Sequence, residues 1–154
     1  MIEVLALLCG AALAGPPITR PVYEAPGEVA EMSIQQLALE LRTEAGPDKR
    51  MASRELLRLV RYTTSRADKA RPGGMSHTEA LLTLGELNAE VVPACIRGLS
   101  DPSLVRPCAV MLGLLEDPAA LPGLQLLSAG ELKRRDARAV DKAVGRIKAA
   151  TEAQ

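Results

Sequence analysis

Few residues in this chain have both the type and the spacing for chemistry. His77, the only histidine, follows Ser76, and a serine beside a histidine suggests a nucleophile and its base. Adjacent residues at a helix start point apart, however, and Ser76 with Glu79 forms the Ser-x-x-Glu pattern that caps a helix. The pair therefore reads as structural. One histidine, no Cys-x-x-Cys and no His-Glu-x-x-His give no metal-ligand spacing. Gly73-Gly74 lacks the Lys-Ser/Thr of a phosphate loop and reads as a hinge. The residues point to a non-enzymatic chain without catalytic group, metal or cofactor. Two basic ridges are left as candidate sites. Arg135, Arg138, Lys142 and Arg146 recur at helical spacing, as do Arg50, Arg54, Arg58 and Arg61. Each is either a solvated face or a positive strip that meets an acidic partner. The C-terminal ridge is the first candidate, because Val140, Val144 and Ile147 mark a buried stripe from which its cations fall largely away.

The elements that must position these residues are helical. Apolar spacing predicts a first helix over 28–44, with Val29, Met32, Leu37 and Leu41, ending at Gly46-Pro47. Asp48 is a cap for a second helix running to about residue 66, with Ala52, Leu56, Leu59, Val60 and Thr63 on one face. Ser76 opens a helix through Leu87, and a short helix follows from about Glu90 to Leu99, with Pro93 near its start. Asp101-Pro102 and Asp117-Pro118 each pair a cap with a first-turn proline; Pro107 lies deeper, where it kinks its helix or delays its start. Ser128 and Glu131 form a second capping box, for a last helix reaching about Ala149. No strand alternation is present.

Composition narrows the functions. The 154 residues suit one domain, and the absence of Trp and Phe, with only Tyr23 and Tyr62, leaves a core of Leu, Val, Ala and Met. Zero formal net charge and too few aromatic stacking platforms argue against nucleic acid as the main partner. Charge is nevertheless blocked along the chain. Basic residues against acidic ones number two to five over 15–47, eight to three over 48–71, two to seven over 72–131 and seven to three over 132–154. Ile2 to Ala14 is almost wholly apolar and too short to span a bilayer. With Ala12-Leu13-Ala14 before Gly15-Pro16-Pro17 it resembles a signal peptide cleaved after Ala14, although Glu3 stands where a basic residue is usual. The expectation is an exported protein, periplasmic or secreted; a buried N-terminal helix in a cytoplasmic chain is the alternative. Leu8 before Cys9 argues against a lipid anchor. Residues 15–27, with four prolines, read as an extended tether, 28–150 as the domain and 151–154 as a tail.

The chain also repeats itself. Leu84-Gly85 recurs as Leu112-Gly113, Val92-Pro93 as Leu121-Pro122, and Arg138 precedes Gly145 by the same interval as Arg106 precedes Gly113. Repetition at about 30 residues marks helical pairs that bury their apolar faces by stacking. The repeat puts Cys95 and Cys108 on the two helices of one hairpin. There they form either a disulfide, if the compartment is oxidising, or a small core filler, which is the preferred reading. The glycines read as sites where the next helix approaches closely or the chain turns.

Val92-Pro93, Leu99, Asp101, Val105-Arg106, Ala109 and Leu112-Gly113 stand in the order of the HEAT repeat, and the chain resembles the short bacterial form known as the PBS-lyase HEAT-like repeat. Leu121-Pro122, Leu124, Arg138, Val144 and Gly145 make a second copy; Glu79, Leu84 and Gly85 close an earlier one, with Thr78 where the pattern has arginine. The resemblance implies a right-handed α-solenoid of about three helical hairpins plus an N-terminal helix, working as a protein-binding scaffold. It also implies that Arg106 and Arg138 pair with hairpin carboxylates or carbonyls. Two alternatives come with it: an enzyme-associated factor of the chromophore-lyase type, and a structural subunit that stacks on itself.

Overall fold

The computed structural model describes residues 32–42, 48–67 and 74–153. The apolar leader 1–14, the tether 15–27 and residues 28–31 of the first expected helix lie outside them. The described chain is all-α: α1 (Ile34–Arg42), α2 (Asp48–Ala67), α3 (His77–Gly98), α4 (Val105–Leu115), α5 (Leu121–Ser128) and α6 (Arg134–Glu152). A 3-10 turn at Pro118–Ala120 precedes α5, and no strand occurs among the described residues.

Local chemistry sets where these helices begin. α1 starts later than its apolar pattern suggests, because Ser33 and Gln36 form a capping box: Ser33 N–H donates to Gln36 Oε1 at 2.9 Å, and Gln36 N–H to Ser33 Oγ at 3.2 Å. Asp48 is the first residue of α2 rather than its cap. Ser76 and Glu79 do form the expected box before α3: Ser76 N–H donates to Glu79 Oε2 at 2.8 Å and Glu79 N–H to Ser76 Oγ at 3.2 Å. Hydrogen bonding to the Glu79 carboxylate from the Ser76 backbone and hydroxyl holds it below its usual range.

α3 corrects the expectation of two helices around residue 88. It runs unbroken for 22 residues, with Pro93 in its interior rather than near a start. Proline removes the N–H that would meet the Ala89 carbonyl. Ala89 and Pro93 both lie on the exposed side, so water can serve that carbonyl, while Leu87, Val91, Ala94, Cys95 and Gly98 bury the opposite side. The described residues thus form six helices, one fewer than the sequence pattern suggests.

The turns show which Asp-Pro signals start helices directly. Asp101 Oδ1 accepts from Ser103 N–H at 2.9 Å and Ser103 Oγ at 2.8 Å, which holds its carboxyl below the usual range. Its carbonyl accepts from Leu104 and Val105, and its other oxygen lies 3.5 Å from Lys49 Nζ. A turn therefore occupies 102–104, and α4 begins only at Val105. Pro107 is then its third residue, where an N–H has no intrahelical partner, so it delays the start rather than kinking the helix. Asp117 accepts from Ala119 N–H at 2.8 Å and opens the 3-10 turn. The expected Ser128–Glu131 box does not form. Ser128 ends α5 and donates to Asp141 at 2.7 Å, and α6 starts at Arg134 after Lys133, whose side chain makes no capping bond.

Each helix packs on the next or next but one. α1 lies against α2 and α3, α2 also against α3 and α4, α3 against α4, α4 against α6, and α5 against α6. The core is aliphatic, with Leu56, Val60, Leu87, Val91, Met111, Leu112, Leu124, Val140 and Ile147 closed to solvent. The buried Tyr62 ties the start of α3 to α2 by accepting from Met75 N–H at 3.1 Å, beside Gly74 at φ 79°. Of the three repeated glycines, only Gly113 meets the expectation of close approach. A Cβ there would stand 2.8 Å from Ala143 Cα, so α4 and α6 touch almost backbone to backbone. Gly85 and Gly145 face open space. Leu84-Gly85 shares α3 with Val92-Pro93 and therefore closes no earlier copy; Leu84 is half-buried, whereas Leu112 is wholly buried on α4.

These glycines give opposed expectations. Gly113→Ala should destabilise the protein by about 1–3 kcal/mol, through overpacking against Ala143. Gly145→Ala, in the open interior of α6, should stabilise it by about 0.5–1 kcal/mol. Urea unfolding of the two variants beside the parent checks both signs.

Candidate binding groove

The helices α2, α4 and α6 enclose a shallow groove of about 340 Å³. α4 supplies Ala109, Val110, Gly113 and Leu114; α6 supplies Ala139, Lys142, Ala143 and Arg146; α2 supplies Arg61. The floor is apolar and built of short side chains, because α6 can close on α4 only where Gly113 meets Ala143. Its banks are cationic. Arg61 stands on one side of α4, with Lys142 and Arg146 on the other. No carboxylate lines the groove, and none of the three cations is paired among the described residues. The ion pairs found lie elsewhere: Arg42 with Glu90, Lys49 with Asp101, and Arg58 with Glu55.

The two ridges read separately from the sequence thus converge at one point. Of the C-terminal four, all exposed, Lys142 and Arg146 reach the groove. Arg135 shares their helical stripe about two turns earlier, and Arg138 is turned further from it. Of the other four, only Arg61 lines the groove; Arg50 and Arg54 are exposed towards the start of α2, and Arg58 lies 4.0 Å from Glu55. Sequence reading missed the floor. Its signal was present as Ala109-x-x-x-Gly113 and Ala139-x-x-x-Ala143, small residues one turn apart on two helices. Arg106 and Arg138 do not make the pairs that the family resemblance implies: both are exposed and unpaired among the described residues.

A second hollow, of about 310 Å³, lies where α4 and α6 begin. Leu99, Val105, Leu127 and Leu132 line it, and Glu131, Asp136 and Lys133 mix charges at its rim. His77 is exposed at the start of α3, and the Ser76 hydroxyl accepts the Glu79 N–H there.

Cys95 and Cys108 face each other across α3 and α4 as free, wholly buried thiols. A hydrogen bond between them, together with burial, pushes the Cys95 thiol well above its ordinary range. Cys108 Sγ lies against Gly98, where a Cβ would come within 2.9 Å of it. The pair fills a tight space as a core element. Both cysteines should resist alkylation by iodoacetamide in the native protein and react on unfolding, as peptide mass mapping would show. Rapid native labelling would contradict the packing.

No protein-family model, curated protein or solved structure matches this chain.

Proposed function

We propose that the protein is an exported, non-enzymatic protein-binding module, built as a short α-solenoid of HEAT-like helical pairs, and that it engages an acidic partner through the groove of α2, α4 and α6. The observation that carries this reading is the meeting of Arg61 with Lys142 and Arg146 over an apolar floor, with none of the three in an ion pair among the described residues. Clustered like charges repel, so a surface that keeps them uncompensated favours an anionic partner.

The solenoid reading draws support from helices that pack on the next and the next but one. The Arg106–Gly113 and Arg138–Gly145 intervals also fall on α4 and α6, each the second helix of a pair. Recognition is favoured over end-to-end stacking on the α6 side alone, whose outer surface carries Arg134, Arg138, Asp141 and Lys148; the exposed large apolar residues Leu39, Met51, Leu81, Leu82 and Leu126 stand on α1, α2, α3 and α5. It is favoured over chromophore-lyase chemistry because the groove contains no histidine, cysteine or carboxylate. Export rests on the apolar leader and Ala12-Leu13-Ala14.

Charge reversal tests the function. Lys142→Glu with Arg146→Glu should leave stability within about 1 kcal/mol, as for surface sites. It should weaken binding to an acidic partner recovered from the host envelope and flatten the dependence of affinity on salt. Equal affinity and an equal salt slope in the double variant would overturn the reading. Export is checked by the intact mass of protein from the host, which should begin at Gly15; a retained leader in a cytoplasmic fraction would reject it.

A further inference from the structure

We infer that the groove takes an extended peptide with the pattern acid–x–aliphatic–x–acid. This rests on the acidic-partner reading above and specifies the segment that docks. Shape decides against a helix. A helix is about 10–12 Å across with its side chains, whereas the groove is shallow, about 340 Å³, and has cations on both banks. An extended segment presents alternate side chains singly to such a floor.

Register follows from the periodicity of an extended chain and the spacing of the helices. In an extended segment, alternate side chains point to one face, so residues i, i+2 and i+4 face the groove, and i and i+4 are about 13 Å apart. Packed helices lie about 8–10 Å axis to axis, and α6 comes closer than that to α4 where Gly113 meets Ala143, so α2 and α6 lie less than about 20 Å apart across α4. Arg61, Lys142 and Arg146 reach inward from those two banks and close the difference. The central residue i+2 then lies over Val110 and Leu114, where an aliphatic side chain loses contact with water. The flanking carboxylates meet Arg61 on one side and Lys142 with Arg146 on the other, where Arg61 can bind in the bidentate manner of a guanidinium. Both banks are needed. A phosphate-rich polymer would satisfy the cations but leave the apolar floor unfilled, so the peptide is the better match.

The test is fluorescence polarisation of the full chain with a labelled Gly-Glu-Ser-Leu-Ser-Glu-Gly peptide. Comparison ligands are a scramble of the same composition, the same peptide with Gly for Leu, and a single-stranded oligonucleotide of equal charge. The patterned peptide should bind at least about tenfold more tightly than each of them. Arg61→Gln and Lys142→Gln should each remove most of that preference. Ala139→Leu, which fills the floor, should abolish discrimination between Leu and Gly while leaving weak, salt-sensitive binding. Val110→Thr keeps the shape, makes the floor polar and should act in the same direction if Ala139→Leu fails to fold. Equal binding of patterned and scrambled peptides, or tighter binding of the oligonucleotide, overturns this inference. If the double charge reversal still releases the acidic partner while the peptides bind alike, the partner reading stands and the docking pattern falls. If neither changes, both fall.

Discussion

The contact between Gly113 and Ala143 is the constraint on which the arrangement of the C-terminal half depends. Two helices carrying ordinary side chains pack with their axes about 8–10 Å apart. Here the missing side chain at Gly113 and the single methyl of Ala143 let the backbones meet. That closeness draws Lys142 and Arg146, on either side of Ala143 in sequence, to the edge of α4. On the opposite edge α2 presents Arg61. Cations from two helices distant in sequence thus flank one patch of α4, and their meeting follows from the smallest residues in the core.

The core itself explains why such contacts matter. With no Trp or Phe in the chain, no large aromatic ring fills the spaces between helices. Aliphatic side chains, two thiols and small residues do so, with Tyr62 as the one buried ring among the described residues. Close approach replaces bulk as the source of dispersion energy, and interiors at crystal-like density tolerate few gaps. The Cys95–Cys108 contact and the placing of Gly98 against Cys108 are the α3–α4 counterpart of the Gly113–Ala143 contact.

Helix identity was legible in the sequence wherever apolar period and cap agreed. The Ser76–Glu79 start of α3 is the example; α2 followed from its apolar period alone, and the Asp101 and Asp117 signals fell in the right places even though each leads through a turn first. Errors arose where a local signal was outweighed by burial. Pro93 reads as a boundary, yet its exposed position makes the lost hydrogen bond cheap beside the buried stripe of α3. Ser128 and Glu131 match a capping box, but Ser128 is drawn to Asp141 instead. The repeated Leu-Gly pairs look alike although Leu84 is half-buried beside an open Gly85 and Leu112-Gly113 seals an interface, since sequence spacing carries no information about which helix lies opposite. For the same reason the basic ridges could be read, but their convergence could not.

Neighbour-to-neighbour packing has a consequence for cooperativity. Among the described residues α1 and α5 are the shortest helices, and α5 buries least, Leu124 alone, beside Leu37, Ala38 and Leu41 in α1. In a structure where each helix leans on its neighbours, such elements open at lower free energy than the centre. Neither contributes a residue to the groove. Fraying at either short helix therefore exchanges amides without dispersing the three cations, which are held by the longer α2 and α6 against α4. The groove's lining is thus carried wholly by α2, α4 and α6, apart from the elements that fray first.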